Sequence, residues 1–397
     1  MSDKDLDLRL NAIPMIALLV AQFLSALADN ALLIAAIAAM KILGQTNHIS
    51  WVQAGFVLPF IGLAPFLGVF ADTLSKGRVM LIGNAIKLIG TGCMLSGVSP
   101  IAAYLVVGIG AAIYSPAKYG ILSQFFNTEK LVKANALLEG STIAAILLGV
   151  VLGGALSDHS VRLAMLVVVG VYAVAAIINL FIPWIRPAHE VGQWHLVRLV
   201  KIFWQAVKVL FHNPAARMSL IGTSLFWGSG AALRLMLFAW VPVALRITDN
   251  RTPANLMGVL SVGIVLGTTL AWGLIKLGNV RRAFWGGLLI GPCILALAMQ
   301  TSLPPTIILL VALGISGGVF VVPLNALLQR QGQQSVGAGH ALAIQNMVEN
   351  LAMLISVSAY GMVAALPVTS VIVGFGGFMF VGVAILAWES RHQAPVS

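Results

Sequence analysis

Six charged side chains, Asp29, Lys87, Lys118, Glu139, Arg234 and Glu349, stand inside long apolar stretches of the sequence. Each costs ~2.5–3.5 kcal/mol at the centre of a bilayer, so six unpaired charges would cost very roughly 15–20 kcal/mol. The surrounding Leu, Ile and Val can offset that, but the charges should face inward and find partners. Three acids and three bases allow a net-neutral interior. Such groups can bind a charged solute, carry a proton, or exchange partners between conformations. Acyl transfer would need a buried base, and the histidines do not offer one: His48, His159, His189, His195, His212, His340 and His392 fall in loops or at segment ends. There is no P-loop and no dinucleotide fingerprint, so no cofactor is expected. Cys93 and Cys293 lie in apolar stretches without metal-ligand spacing, and no metal is expected either.

Helical spacing assigns the charges to faces. Gln22, Ser25 and Asp29 share one face of the first apolar segment, with Asn30 following. Tyr114 and Lys118 share a face of the fourth, and Asn135, Glu139 and Thr142 line one side of the fifth. Trp227, Gly230 and Arg234 line the seventh. On the eleventh, Gln345 with Glu349, and Asn346 with Asn350, make a broad polar face. Lys87, on the third, reads as a structural partner, and Lys41, near a segment end, as a snorkelling anchor.

The elements that hold these faces dominate the chain. Of 397 residues, 59% are hydrophobic and 9% charged, with a mean hydropathy of +0.99. Soluble domains average about 25% charged, so this composition excludes a water-soluble fold. The low charge and the many glycines fit helices better than a barrel. Apolar segments cover 12–43, 51–71, 79–97, 101–123, 134–156 and 161–184, then 217–245, 255–275, 283–300, 304–328, 340–365 and 367–388. A span needs about 20 residues, so these are six crossings followed by six.

The stretch "SALADNALL" from Ser25 carries a small-x-small pattern at Ala26-Leu27-Ala28 that a signal peptidase could cut. A signal peptide needs a basic start, however, and Asp3, Asp5 and Asp7 outweigh Lys4 and Arg9. The apolar run also continues past the site to Met40, so Asp29 is read as intramembrane. With the N-terminus inside, sixteen of the 23 basic residues fall in cytoplasmic segments. Only Arg162, Arg246 and Arg251 fall outside. This satisfies the positive-inside rule, predicts both termini in the cytoplasm, and accounts for the net charge of +11 without nucleic acid.

An internal repeat joins the two sets of six. "GIGAAIYSPAKYGIL" from Gly108 aligns with "GISGGVFVVPLNALL" from Gly314, and "KANALL" from Lys133 with "GHALAI" from Gly339. Duplication of a six-helix unit is the plan of the major facilitator superfamily, which the sequence resembles in this respect. The expected fold is an all-α membrane protein of twelve transmembrane helices in two six-helix halves. Residues 1–184 form the N-terminal bundle, 185–216 a cytoplasmic linker with an amphipathic helix, and 217–397 the C-terminal bundle. In the linker, Arg198, Lys201, Gln205, Lys208 and His212 make one polar stripe, and Phe203, Trp204 and Phe211 are expected to anchor the helix at the membrane surface.

The loop "GVFADTLSKGR" after the second segment also resembles the superfamily's signature loop, with Gly68, Asp72, Lys76 and Arg78. Its Asp can cap a neighbouring helix and its basic residues can pair with acids, acting as a gate on the conformational equilibrium. The counterpart "GLIKLGNVRR" lacks the Asp, so closure is expected to be asymmetric.

Longer strings narrow the resemblance. "AQFLSALADNALL", "YSPAKYGIL", "LVKANALLEGSTIAAILLG", "GTSLFWGSGAALRLMLFAWVPVALRITDN" and "VVPLNALLQRQGQQSVGAGHALAIQN" are similar to the bacterial lysophospholipid transporter family. Asp29, Asn30, Lys118, Glu139 and Arg234 follow that family's motifs, while His340 stands where Asn is expected.

The resemblance implies a flippase of the inner membrane. It would move lysophospholipids such as lysophosphatidylethanolamine to the cytoplasmic face, where a partner acyltransferase–acyl-carrier-protein synthetase restores the missing chain. Superfamily architecture further implies a central cavity lined by the first, fourth, fifth, seventh, tenth and eleventh helices. The substrate-binding set is then Asp29, Asn30, Tyr114, Lys118, Glu139, Arg234, Gln345, Asn346, Glu349 and Asn350. Arg234, assisted by Lys118, suits a phosphate, since Arg binds it bidentately and stays charged when buried. Asp29, with Glu349 or Glu139, suits an amine. A proton-coupled multidrug exporter is the alternative, although Arg234 and Lys118 disfavour cationic cargo. A membrane acyltransferase and a non-transporting scaffold for the acyltransferase are the readings from other classes.

Overall fold

The structure, a computed structural model, describes residues 10, 12–45, 49–183, 196–247, 251–363 and 365–391. Several residues read in the sequence lie outside the described ones: His48, His189, His195 and His392, the N-terminal Asp3, Lys4, Asp5, Asp7 and Arg9, and Arg186 with most of the linker before the amphipathic helix.

The described secondary structure is helical throughout, in fourteen α-helices and one 3-10 turn. The first group comprises α1 (Ile13–Ile42), α2 (Ile49–Gly62), α3 (Ala64–Thr73), α4 (Lys76–Leu95), α5 (Pro100–Phe125), α6 (Thr128–His159) and α7 (Val161–Asn179). The linker helix α8 (Leu196–His212) leads to α9 (Pro214–Ala244) and α10 (Arg251–Leu274). After the 3-10 turn come α11 (Ala283–Ala298), α12 (Leu303–Gln334), α13 (Ala338–Val363) and α14 (Val368–Arg391). Among the described residues eleven helical stretches are long and apolar enough to cross a membrane, the 3-10 turn and α11 counting as one, and twelve if α2 and α3, which meet at a 65° bend, form one span. That bend departs from the single segment expected at 51–71. Pro65 explains it: proline has no N–H for the preceding turn, and its ring crowds the backbone there.

Contacts divide the chain into two compact units. One holds Met1–Asn127, Ala144–Leu210 and Gly332–Met347; the other holds Thr128–Ile143, Phe211–Gln331 and Val348–Ser397. The helices α6 and α13 contribute to both. In the first unit α1, α4, α5 and α7 bury a common core around Leu32, Met40, Val107 and Tyr172. In the second, Phe284 of α11 meets Phe320 of α12 edge-on, with ring centroids 5.7 Å apart.

The sequence repeat has a packing counterpart. Gly108 of α5 lies on α2, where a Cβ would come within 2.7 Å of the Phe56 carbonyl oxygen. Gly314 of α12, its partner in the alignment, lies on α10, where a Cβ would come within 2.7 Å of the Ile264 nitrogen. Each unit thus uses the aligned glycine to bring a long polar-faced helix against its neighbour.

The linker helix shows one correction. Leu199, Phe203, Ala206 and Leu210 form its buried face. Phe203 is 0% exposed, so it packs into the protein and does not anchor the helix in lipid. Trp204, one residue on and about 100° around the helix, is 52% exposed.

Candidate functional site

Ser25 and Asp29, one turn apart on α1, meet α4 where Asn84, Lys87 and Thr91 recur at three- and four-residue steps. Lys87 Nζ donates to Asp29 Oδ2 at 2.8 Å and to Ser25 Oγ at 2.9 Å. Ser25 in turn donates to Asn84 Oδ1 at 2.7 Å. From α7, the Tyr172 hydroxyl donates to the other carboxylate oxygen, Oδ1, at 2.5 Å. From α5, the Tyr104 hydroxyl donates to the Asp29 backbone carbonyl at 3.0 Å. The Tyr114 and Tyr172 rings stand 5.0 and 5.7 Å from the ammonium, near enough for the ring faces to favour the cation.

Four helices therefore converge on one buried ion pair, whose side chains are 2% exposed at Lys87 and 14% at Asp29. Two charges survive such burial only with good geometry and with the remaining donors and acceptors satisfied. Ser25 and Tyr172 do that here by direct hydrogen bonds, with Asn84 accepting from Ser25 and Tyr104 holding the Asp29 backbone carbonyl. Gly110 allows the approach of α5 to α4, since a Cβ there would lie 2.8 Å from Lys87 Cγ. Asp29 and Tyr114 are among the residues expected from the sequence, whereas the partner of Lys87 and the places of Tyr104, Tyr172 and Asn84 emerge only from the packing. The spacing on α4 was a signal for Asn84; a lone Tyr in the apolar run of α7 was the only one for Tyr172. Asn30 is half-buried, and its amide donates to Ala26 O at 2.8 Å within α1.

A second cluster joins α3 to the start of α13. Asp72 Oδ1 accepts from the Gly339 N–H at 2.8 Å and from Lys76 Nζ at 2.8 Å. Its Oδ2 accepts from the His340 N–H at 3.2 Å and lies 3.2 Å from His340 Nδ1. The first N–H groups of a helix have no partner within it and carry the positive end of its dipole. Asp72 thus caps α13 from another helix. Lys76 pairs with Asp72 itself and with the Ala71 carbonyl at 2.5 Å, a closer partner than the acid from another element anticipated for it. Arg78 is exposed. Two glycines make room: a Cβ at Gly68 would lie 2.7 Å from His340 Cα, and one at Gly339 would lie 2.6 Å from Asp72 Oδ1.

Two further polar contacts tie first-group helices to later ones. Asn346 Nδ2 donates to Ser115 Oγ at 3.0 Å, with the reverse bond at 3.3 Å. Asn135 and Gln329 exchange a pair of amide bonds at 2.9 and 2.6 Å, and both are buried. One turn beyond Asn135, Glu139 is also buried, as are Gln345 and Glu349 on α13, while Asn350 is half-buried. Lys118 is half-buried with its ammonium 4.7 Å from the Tyr119 ring centroid. Arg234 differs from these. Its side chain is exposed, and it makes no hydrogen bond or ion pair with any described residue.

Comparison with known proteins agrees with this architecture. The Major Facilitator Superfamily family description matches residues 18–357. Among solved structures, the fold resembles the transporter FucP in its outward conformation, with a TM-score of 0.77 at 15% identity, covering 97% of this chain and 100% of that one. It resembles the human organic anion transporter MFSD10 to the same TM-score and identity, covering 94% and 98%. A curated Klebsiella pneumoniae protein, lysophospholipid transporter LplT, is 48% identical over 384 residues, covering 95% of this chain and 96% of that protein. Its namesakes in Citrobacter koseri and Escherichia coli O139:H28 are 46% and 45% identical at similar coverage. The class is therefore that of a multi-pass membrane transporter built on the major facilitator plan. Within it, the chain belongs to the lysophospholipid transporter family.

Proposed function

We propose that the protein moves lysophospholipids across the bacterial inner membrane by alternating access, from the outer leaflet to the cytoplasmic one. A relationship to lysophospholipid transporters at 45–48% identity over 95% of the chain carries the reading. The substrate's phosphate demands a fixed cation, and Arg234 is a cation committed to no described residue. Arg234 takes the phosphate with help from Lys118, and Asp29 takes the ethanolamine amine with Glu139 or Glu349. Asn30, Tyr114, Gln345, Asn346 and Asn350 complete the polar surroundings of the head group. The single acyl chain lies against apolar helix faces or in lipid, gaining ~0.8 kcal/mol per buried CH₂.

Six helices of residues 1–184 and six of 217–397 rock about this head-group site, with 185–216 as the cytoplasmic linker. Asp72, Lys76 and Arg78 are the gate, with the Asp72 cap on α13 favouring one state of the cycle. Both termini lie in the cytoplasm, and the delivered lipid is reacylated by an acyltransferase–acyl-carrier-protein synthetase.

The test is inward movement of fluorescent lysophosphatidylethanolamine in proteoliposomes without an imposed gradient, beside an Arg234→Ala variant. Transport by the wild type and none by the variant is expected. Movement of cationic amphiphiles in place of the lysolipid would overturn the reading.

A further inference from the structure

The linker helix α8 carries a surface that the transport cycle does not use. Leu199, Phe203, Ala206 and Leu210 turn inward. At 100° per residue, Arg198, Lys201 and Lys208 gather on the opposite side, and all three are exposed. Arg198 and Lys201 make no hydrogen bond or ion pair with any described residue. Trp204 and Val197 flank this stripe at 52% and 84% exposure, and Val209 flanks its other edge at 48%. Only Asn213 separates α8 from the membrane span α9. A helix joined that closely to the start of a span has its C-terminal end within reach of the lipid head groups.

We propose that Arg198, Lys201 and Lys208 of α8 bind the head groups of anionic phospholipids in the adjoining leaflet, a site separate from the transported lysolipid. A solvated basic face would account for the charges alone. It would not account for a half-exposed Trp beside them, which is favoured at an interface where its ring meets acyl chains and its N–H meets water. An anionic leaflet favours each nearby Lys or Arg by a factor of roughly five, so the three together can select anionic over zwitterionic lipid.

The full-length protein in detergent, offered equal phosphatidylglycerol and phosphatidylethanolamine, tests this by native mass spectrometry of retained lipid. An excess of phosphatidylglycerol is expected. It should shrink between about 0.1 and 1 M salt, as the screening length falls from about 10 to 3 Å. An R198Q/K201Q/K208Q variant should lose most of the excess, while R162Q, which removes an exposed charge elsewhere, keeps it. Because the readout is binding, it stands or falls independently of lysolipid transport. Equal retention of both lipids by the wild type, or an undiminished excess in the triple variant, overturns the proposal. So does protection of Lys201 from amine labelling by an acidic polypeptide but not by phosphatidylglycerol, which would assign the stripe to a protein partner.

Discussion

Lys87 and Asp29, 58 positions apart in the chain, hold each other at 2.8 Å, and Tyr172 closes on the free carboxylate oxygen at 2.5 Å. The acid proposed to meet a substrate amine is thus already bound to an amine of the protein, caged by tyrosines. An arriving ethanolamine offers Asp29 the same chemistry that Lys87 does, so binding can proceed as an exchange of ammonium partners without leaving the carboxylate bare.

Removing one member of this pair should destabilise the fold more than removing both. A buried charge stripped of its partner costs about 3–5 kcal/mol, whereas replacing a pair by apolar residues of similar volume is often neutral. Asp29→Leu and Lys87→Met should each lower the thermal unfolding midpoint in detergent, and the double variant should recover most of the loss. If the pair were only structural, the double variant would also recover transport. The exchange predicts that it remains inactive.

The cap on α13 should act on the conformational equilibrium. Asp72→Asn keeps the shape but loses the charge that Lys76 and the helix terminus share. Losing a negative charge at a helix N-terminus costs about 0.3–2 kcal/mol, which is roughly a 2- to 30-fold change in population. With Cys93 and Cys293 replaced by Ala, the thiol of a Ser123→Cys variant, buried on α5 one turn from the Gly120 that faces Lys76 and Ala338, should react with maleimide faster in the Asp72→Asn background by about that factor. An unchanged rate would mean that the cap does not hold this end closed.

What could be read in the sequence divides along a physical line. Within one helix, spacing decides which residues share a face, so Ser25 with Asp29 and Tyr114 with Lys118 needed no coordinates. Which acid finds which base depends on how helices far apart in the chain pack, and spacing within a helix is silent on that. Lys87 therefore lacked its partner, and Tyr172 went unnoticed in an apolar run. Phe203 departs from expectation through a rotation of one residue: aromatic type groups it with Trp204, while the helix turns the two about 100° apart. The bend between α2 and α3 had its signal in Pro65, masked by the unbroken apolar character around it.

Glycine substitutions should separate close packing from mere flexibility. A Cβ at Gly68 would lie 2.7 Å from His340 Cα, whereas nothing lies within 4 Å of the same atom at Gly92. Both glycines sit inside helices, where alanine is intrinsically better by about 0.8–1 kcal/mol. Gly92→Ala should therefore leave transport intact and leave stability unchanged or slightly higher. Gly68→Ala should push α3 away from α13, raise thiol reactivity at Ser123→Cys as Asp72→Asn does, and slow transport. Matching behaviour of the two alanine variants would remove the steric account of the gate.

The Asn135–Gln329 exchange offers a measure of the second contact by a double-mutant cycle. Both amides are buried, so Asn135→Leu alone leaves the Gln329 amide without its partner at a cost of about 1–3 kcal/mol. Gln329→Leu alone should do the same to Asn135, softened because the Asn135 amide also donates to the Leu131 carbonyl at 3.0 Å. The double variant buries two apolar side chains with no stranded polar group, so its unfolding midpoint should lie above that of either single variant. Transport gives the second readout. If the contact must break in each cycle, the double variant should alter the turnover rate while leaving half-saturation by lysophosphatidylethanolamine nearly unchanged. A shift in half-saturation alone would instead make Asn135 and Gln329 part of the head-group site.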